Sequence, residues 1–220
     1  MVYLEIYVVL IVVVSLLMVK VDIGTKGSKT IDNKKELSGF EITRNVLDDN
    51  KLDKTYIIEK KGKLVDYYDY NNKVVKLSSL VFHENSLYAL AVGAYVGMHG
   101  AYDIKNNSLY KFISTFKPVV NIIYYISLFL IIAGIYTANE TAYQVALLLL
   151  ILILIFSTVM FVCKRNIAYE AYDYLKKNKT LNKDEDDNIS NVLRNVYLES
   201  YTWLITDIIY SVINLFAQGK

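Results

Sequence analysis

The chain has 220 residues, of which 54% are apolar and 21% are charged. This composition is too apolar for a single water-soluble domain and too charged for a chain that lies wholly within a membrane, so the two kinds of residue must be segregated. The net charge is +2, and the lysines are interleaved with aspartates and glutamates, which argues against a nucleic-acid partner.

Four segments are long and apolar enough to be predicted as membrane spans, because a helix needs about 20 residues to cross the hydrocarbon core. The predicted spans are Val2–Val19, Val119–Tyr136, Ala142–Cys163 and Tyr197–Phe216. The first has no basic residue before it and no small-residue cleavage site after it, so we interpret it as a retained anchor rather than a signal peptide. The second and third spans form a hairpin around the turn 137–141.

The fourth span contains two acids, Glu199 and Asp207, among tyrosines and a tryptophan of the kind found at membrane interfaces. We interpret Asp207 as an acid that reaches the interface; a buried polar contact or a metal neighbour is the alternative. The single cysteine, Cys163, ends the third span and has no partner for an internal disulfide.

The basic residues predict the orientation of the chain. All of them except Lys220 fall within Lys20–Lys117 and Lys164–Arg194. Short loops rich in Lys and Arg stay in the cytoplasm, so both segments are expected there. The segment Leu87–Tyr102 is apolar enough to enter the membrane, which would change this arrangement.

The first polar segment predicts a small α+β domain. Ser38 followed by Glu41 is typical of a capping box, and the helix that it begins is expected to stop at Asn50. Strands are expected next, rich in β-branched residues, and the last two are joined by a turn at 71–72. The predicted strands are Thr55–Glu59, Lys63–Tyr68 and Lys73–Leu77.

A second helix is predicted over Leu87–Tyr102. Gly93, Gly97 and Gly100 share one of its faces, and small residues let another helix approach closely. We expect this face to pack against the membrane spans. A helix placed beside an active-site element is an equally open interpretation.

Two histidines are the candidates for metal chemistry. His83 is followed by Glu84, but Leu87 occupies the position where a zinc motif requires a second His. His99 precedes Asp103 by four residues, so both side chains could reach one metal if a third ligand came from elsewhere. We favour a hydrogen-bonded His at a helix end. The sequence contains no Gly-rich phosphate loop, no paired cysteines and no Ser nucleophile signature.

Several segments together resemble the YugP-like neutral zinc metallopeptidases of bacterial membranes. Ser38–Ile42 and Val46–Asn50 resemble the first helix of that family, and Leu64–Asp69 with Asn72–Ser78 resembles its stretch L-x-D-H-Y-D-P followed by K-x-V-x-L-S. Similar residues also occur at 111–118 and 192–194, and the segments keep the family order. The resemblance implies a membrane-bound protein with the fold of that family.

The same resemblance places the HExxH helix of the family on Tyr95–His99, where only the second His is present. Tyr95 would replace the first zinc ligand, and Val96 would replace the general base. The family segment E-F-D-A-S falls on 164–168, so that Lys164 and Asn166 replace its acids. The resemblance therefore implies that these positions surround the place of a zinc ion whose ligands have been lost.

We expect a mainly α, polytopic membrane protein with about four transmembrane helices and a small α+β water-facing domain. The predicted domains are an anchor at 1–19, a small α+β cytoplasmic domain at 20–86, a degenerate metallopeptidase helix region at 87–118, a transmembrane hairpin at 119–163, a charged cytoplasmic connector at 164–196 and a last transmembrane helix at 197–220.

We expect the protein to be catalytically inactive, to bind no cofactor, to lie in the lipid bilayer of a bacterial cell and to act by binding a peptide or a membrane partner. Two alternatives remain: an active zinc peptidase that uses His99, Asp103 and His83, and a purely structural membrane protein. For the metal position we name His99, with Asp103 as its possible neighbour.

Overall fold

The computed structural model describes residues 25–61, 66–105 and 107–202, together with residues 12, 13, 15, 16, 19 and 20. In this part the chain is mainly helical, with one small sheet. The helices are α1 (Gly39–Asp49), α2 (Ser79–His83), α3 (Leu87–Ile104), α4 (Ser108–Thr137), α5 (Glu140–Lys177) and α6 (Asp186–Leu198). The strands are β1 (Tyr56–Lys60), β2 (Tyr67–Asp69) and β3 (Val74–Ser78). Short 3-10 helices occupy Gly27–Lys29 and Glu199–Tyr201.

The chain divides into two compact units. The hairpin unit is built on Phe112–Val162, and the α+β unit is built on Val21–Lys111 and Cys163–Tyr197. The predicted connector at 164–196 therefore belongs to a compact unit, and most of it is helical. Residues 178–185 connect the two helices of this segment, and Ile189, Val192 and Leu193 are buried along α6.

The hairpin unit contains two helices that are long and apolar enough to cross a membrane, α4 and α5. They contain the predicted spans Val119–Tyr136 and Ala142–Cys163, and the turn at 138–139 lies where the sequence predicted it. Helix α4 begins at Ser108, eleven residues before the predicted start at Val119, and passes through Pro118. The other two predicted spans, Val2–Val19 and Tyr197–Phe216, lie mostly outside the described residues.

Side chains between the two hairpin helices pack closely, whereas most of the apolar side chains elsewhere point outward. Ile131, Ala146 and Leu150 form a buried cluster, and the Tyr143 ring lies against Gly134. Large apolar side chains are exposed on both helices, among them Phe129 at 69% and Leu148 at 62%. Water-soluble helices rarely expose so many large apolar residues in succession.

In the α+β unit, helix α1 begins as the sequence predicted. The Ser38 hydroxyl accepts a hydrogen bond from the Glu41 N–H, and the Glu41 carboxylate accepts one from the Ser38 N–H. This reciprocal pair satisfies two donors that a helix start would leave without partners. Asn50 caps the other end of the helix, also as predicted.

The sheet has the strand order β1-β3-β2. Strand β3 runs parallel to β1 and antiparallel to β2. The predicted strands at 55–59 and 73–77 are confirmed with a shift of one residue. The one predicted at 63–68 overlaps β2 only at residues 67–68, and residues 62–65 lie outside the described part. The Asp69 carboxylate accepts hydrogen bonds from the Asn71 and Asn72 N–H groups, which fixes the predicted turn.

Helix α3 is confirmed, and its glycine face packs against α1, a partner that the sequence did not identify. Gly93, Gly97 and Gly100 lie against α1, where their nearest neighbours include Gly39, Val46 and Leu47 respectively. The Thr43 hydroxyl of α1 lies 2.9 Å from the Gly93 carbonyl oxygen. Small residues permit a close approach to any helix, so the sequence predicted the contact without identifying the partner.

Candidate functional site on helix α3

Helix α3 is positioned on several sides at once. Its N-terminus is capped by the Ser86 hydroxyl, which accepts a hydrogen bond from the Ala89 N–H. The glycine face contacts α1, and a second face carries Tyr95, His99 and Tyr102, which are spaced by four and three residues. This second face holds the residues that the family resemblance had singled out.

His99 sits in a group of aromatic side chains. Its Nδ1 lies 3.2 Å from the Tyr110 hydroxyl, and the roles of donor and acceptor depend on the tautomer. The Tyr95 ring meets the imidazole edge to face, with ring centroids 4.6 Å apart. Tyr110 also lies within 6.4 Å of the Tyr102 ring and 6.1 Å of the Tyr70 ring. The imidazole is therefore oriented by phenols.

Tyr102 connects α3 to helix α5. Its hydroxyl donates to a Glu170 carboxylate oxygen at 2.7 Å, and the Lys105 ammonium lies 3.0 Å from the other oxygen of that carboxylate. Burial raises the pKa of the Tyr102 phenol, and the Glu170 charge raises it further. Tyr102 therefore remains a neutral donor over the physiological range.

Asp103 forms a separate contact with the sheet. Its carboxylate side chain is only 7% exposed, and it accepts hydrogen bonds from the Tyr68 hydroxyl at 2.7 Å and from the Lys73 ammonium at 2.6 Å. The pKa of Tyr68 is raised, first by burial and then by this carboxylate. The Lys73 ammonium also lies 3.9 Å above the Tyr70 ring. Asp103 joins α3 to the sheet and the turn after β2.

The positions that the resemblance had assigned to lost zinc chemistry differ in burial. Tyr95 and Val96 are buried, the latter at 1% exposed, whereas Lys164 is half-buried and Asn166 is exposed. Helix α5 reaches α3 through Glu170, which the sequence analysis overlooked. A signal was present, because Glu170 is the first carboxylate after the apolar run of α5.

The residues around His99 do not fit a zinc ion. Zinc in proteins takes its ligands from Cys, His, Asp and Glu, whereas the described contacts of the His99 ring include the phenols of Tyr95 and Tyr110. Within the ranges that the structure describes, no three His, Cys, Asp or Glu side chains gather closely enough to hold one metal.

The other residues named for an altered zinc site have partners of their own. The His83 Nε2 atom pairs with the Glu59 carboxylate at 3.2 Å, and that carboxylate also accepts a hydrogen bond from the Ser79 hydroxyl. Asp103 is paired with Lys73. A zinc site made from His99, Asp103 and His83 would have to break these pairs.

Comparison with known proteins identifies the family of the chain. The family described as "Putative neutral zinc metallopeptidase" matches residues 3–217, which is nearly the whole length. The chain belongs to this family. No curated protein and no solved structure matched the chain.

Proposed function

From this family membership, we propose that the protein is a catalytically inactive, membrane-embedded homologue of zinc metallopeptidases that binds a peptide or a membrane partner beside α3. The proposal has three parts: location in the membrane, loss of peptidase activity, and binding. Each part depends on different residues and has its own test.

Location in the membrane is supported by α4 and α5. Both helices exceed the length needed to cross hydrocarbon, and their apolar side chains point outward. The two basic segments Lys20–Lys117 and Lys164–Arg194 flank this hairpin in the sequence, which favours a cytoplasmic position for both. A multi-pass protein of the bacterial cell membrane would meet these conditions.

Loss of activity is supported above all by Val96. A general base must accept a proton from water, and an isopropyl group can neither accept a proton nor hold water in place. At 1% exposure, Val96 is packed into the interior of the α+β unit, so water has no access to its side chain. This is the single observation that carries the proposal of inactivity.

Binding is supported by the polar groups at the C-terminal end of α3. Ile104 is an exposed apolar side chain, and it stands between Asp103 and Lys105, whose ammonium is half-exposed beside Glu170. Protein interfaces commonly combine an exposed apolar side chain with polar groups nearby. A peptide or a membrane protein could contact this end of the helix without any catalytic step.

Zinc content and peptide hydrolysis together test inactivity. We expect the purified full-length protein, supplied with zinc and then dialysed, to retain far less than one zinc per chain and to cleave no fluorogenic peptide. His99→Ala should change neither result. Stoichiometric zinc that disappears in His99→Ala, together with peptide cleavage, would establish the active peptidase with an altered ligand set and overturn our proposal.

A photo-crosslinking amino acid tests the binding surface. In native membranes, the crosslinker placed at Ile104 should give a discrete adduct, whereas the same crosslinker at the exposed Tyr56 on β1 should not. Adducts at both positions would indicate nonspecific capture. Adducts at neither position would favour the structural role over the binding role.

A further inference from the structure

Two arginines stand where apolar segments meet polar ones. Arg165, on α5, is the second residue after the apolar run that ends at Cys163. Arg194, on α6, precedes the apolar segment 197–216 by three residues. If α5 crosses the membrane, as proposed above, the length of its apolar run places Arg165 near the level of the lipid headgroups.

Each arginine has a tyrosine one turn further along its own helix. The Arg165 guanidinium lies 3.3 Å from the Tyr169 hydroxyl and 5.2 Å from the centroid of its ring. Arg194 and Tyr197 are spaced by three residues, so they share a face of α6. The guanidinium of Arg165 is thereby held in one position, which reduces the conformational entropy lost when it binds a ligand.

The two pairs also approach each other. Burial raises the pKa of the Tyr197 phenol, the Tyr169 phenol raises it further, and the charges of Arg165 and Arg194 lower it. Helices α5 and α6 are held together further along by the Tyr172 hydroxyl, which donates to Asp186 at 2.6 Å. The ring of Phe161 on α5 also lies 5.3 Å from the ring of Tyr201, which follows α6. Arg165 and Arg194 therefore lie on the stretches of α5 and α6 between these two contacts.

Neither arginine has an acidic partner among the residues that the structure describes. The ion pairs of the described residues involve neither Arg165 nor Arg194. Both side chains are exposed, so an anion from outside the protein can reach them. Like charges held close together without a counter-ion repel each other, and an anion bound between them would remove this repulsion.

We propose that Arg165 and Arg194, with the hydroxyls of Tyr169 and Tyr197, bind a phosphate group. Guanidinium groups bind phosphate oxygens in a bidentate manner, and the phenols add neutral donors. The expected source is the headgroup of an anionic phospholipid, because both arginines adjoin apolar segments; a soluble phosphate has the same chemistry. This site rests on the membrane location in the proposed function and is independent of peptidase activity.

Lipid binding to the full-length protein in detergent tests the proposal. Short-chain phosphatidylglycerol or phosphatidylcholine is titrated into the protein, and the bound lipid is counted by native mass spectrometry. The wild type should bind phosphatidylglycerol more tightly than phosphatidylcholine. Arg165→Gln with Arg194→Gln should weaken the binding of phosphatidylglycerol about tenfold or more, because two charge-assisted contacts are lost.

A matched control removes two other exposed cations with the same change of charge. Lys177→Gln with Lys183→Gln should leave phosphatidylglycerol binding within about twofold of the wild type, since both residues are distant in sequence from the apolar runs. An equal loss in the control, or no loss in the arginine double variant, would overturn the site. Arg165→Lys with Arg194→Lys keeps the charge and should give an intermediate affinity, which tests the site even if the Gln variant fails to fold.

Inorganic phosphate distinguishes the two sources. If millimolar phosphate displaces phosphatidylglycerol from the wild type but not from the arginine double variant, the site binds phosphate and the lipid assignment is overturned. Phosphate without effect supports the lipid headgroup. Membranes washed with alkaline carbonate test the underlying premise separately, because a protein released by that wash is not embedded, whatever its arginines bind.

Discussion

Gly93 of α3 and Gly39 of α1 meet backbone to backbone: a Cβ atom on Gly93 would lie 2.5 Å from the Gly39 carbonyl oxygen and 3.0 Å from its Cα. Neither of these atoms can move without shifting α1. The next two glycines along the same face of α3 meet side chains of α1 instead, Val46 and Leu47. The closeness of the two helices is therefore set at Gly93.

We predict that Gly93→Ala destabilises the protein by about 3 kcal/mol, at the upper end of the range for overpacking, because the clash is with backbone. Gly100→Ala should cost about 1 kcal/mol, since the flexible end of Leu47 can move aside. Gly27→Ala is the matched control, because nothing lies within 4 Å of its added Cβ. Thermal unfolding in detergent measures the stability of all three variants. Equal melting temperatures for Gly93→Ala and Gly27→Ala would contradict the close packing of α3 against α1.

The Asp103 contact predicts a coupling between α3 and the sheet. Tyr68→Phe removes one donor from a nearly buried carboxylate and should cost about 1 to 2 kcal/mol of unfolding free energy. Asp103→Asn should lower the free energy of unfolding by more than Tyr68→Phe does, because the Lys73 ammonium also loses its charged partner. In the double variant the two costs should not add, and the double-mutant cycle measures the interaction. Tyr56→Phe is the control: Tyr56 is exposed, so its substitution should not measurably change the free energy of unfolding. Strictly additive costs in the double variant would show that Tyr68 and Asp103 act independently.

The features that the sequence predicted well are local ones. The capping box of Ser38 and Glu41 depends on residues three apart, and the turn after Asp69 depends on the next few residues. The hairpin helices follow from composition, because runs of about 20 apolar residues have few alternatives to a buried or membrane-spanning helix. Nothing distant in the chain is needed for any of these.

The features that the sequence did not predict depend on distant residues. Strand β1 pairs with β3 rather than with β2, and alternation of residue types does not encode which strand is the neighbour. Tyr102 and Glu170 are separated by 68 residues, and with 20 tyrosines in the chain no pattern marks the one that contacts a given carboxylate. The sequence therefore named residues of α3 for the candidate site but did not predict the contact of this helix with Glu170.

The contacts of Asp69 in the turn after β2 should make the free energy of unfolding depend on pH. Asp69 pairs with Lys76 at 2.6 Å, and this contact, together with Asn72, holds the pKa of the Asp69 carboxyl far below its usual value of 3.8. A carboxyl group whose pKa is lower in the folded state than in the unfolded state stabilises the fold at pH values above the unfolded pKa. This contribution is lost as the pH falls from the unfolded pKa through the folded pKa. We therefore expect Asp69→Asn to cost about 1 to 3 kcal/mol at pH 7 and much less near pH 2.

Denaturant unfolding at the two pH values measures this difference. Asp53→Asn is the control, because Asp53 is an exposed acid in a turn before β1. Its substitution should have the same small effect at both pH values. A cost of Asp69→Asn that does not change with pH would show that the side chain acts through the geometry of the turn rather than through its charge.

Two substitutions on α3 should restore part of a metal site. The Tyr95 and His99 rings already meet one helical turn apart, so Tyr95→His with Val96→Glu would supply two imidazoles and a base. We expect this double variant to bind zinc weakly, because a third protein ligand is still needed and a cation at Lys164 would oppose the metal. Adding Lys164→Glu should raise the affinity appreciably. Competition with a chelator measures the affinity, and Lys177→Glu in place of Lys164→Glu controls for the change of charge.

Glu170 offers another outcome for the same measurement. Its carboxylate already reaches α3 at Tyr102, so it could supply the third ligand if it were released from the Tyr102 hydroxyl. Tight zinc binding by Tyr95→His with Val96→Glu alone would contradict the role given to Lys164. If Glu170→Gln then abolished zinc binding, Glu170 would be identified as the ligand, because an amide lacks the charge of a carboxylate and most of its affinity for zinc. Lys105→Gln, at a neighbouring position, is the control and should leave zinc binding unchanged.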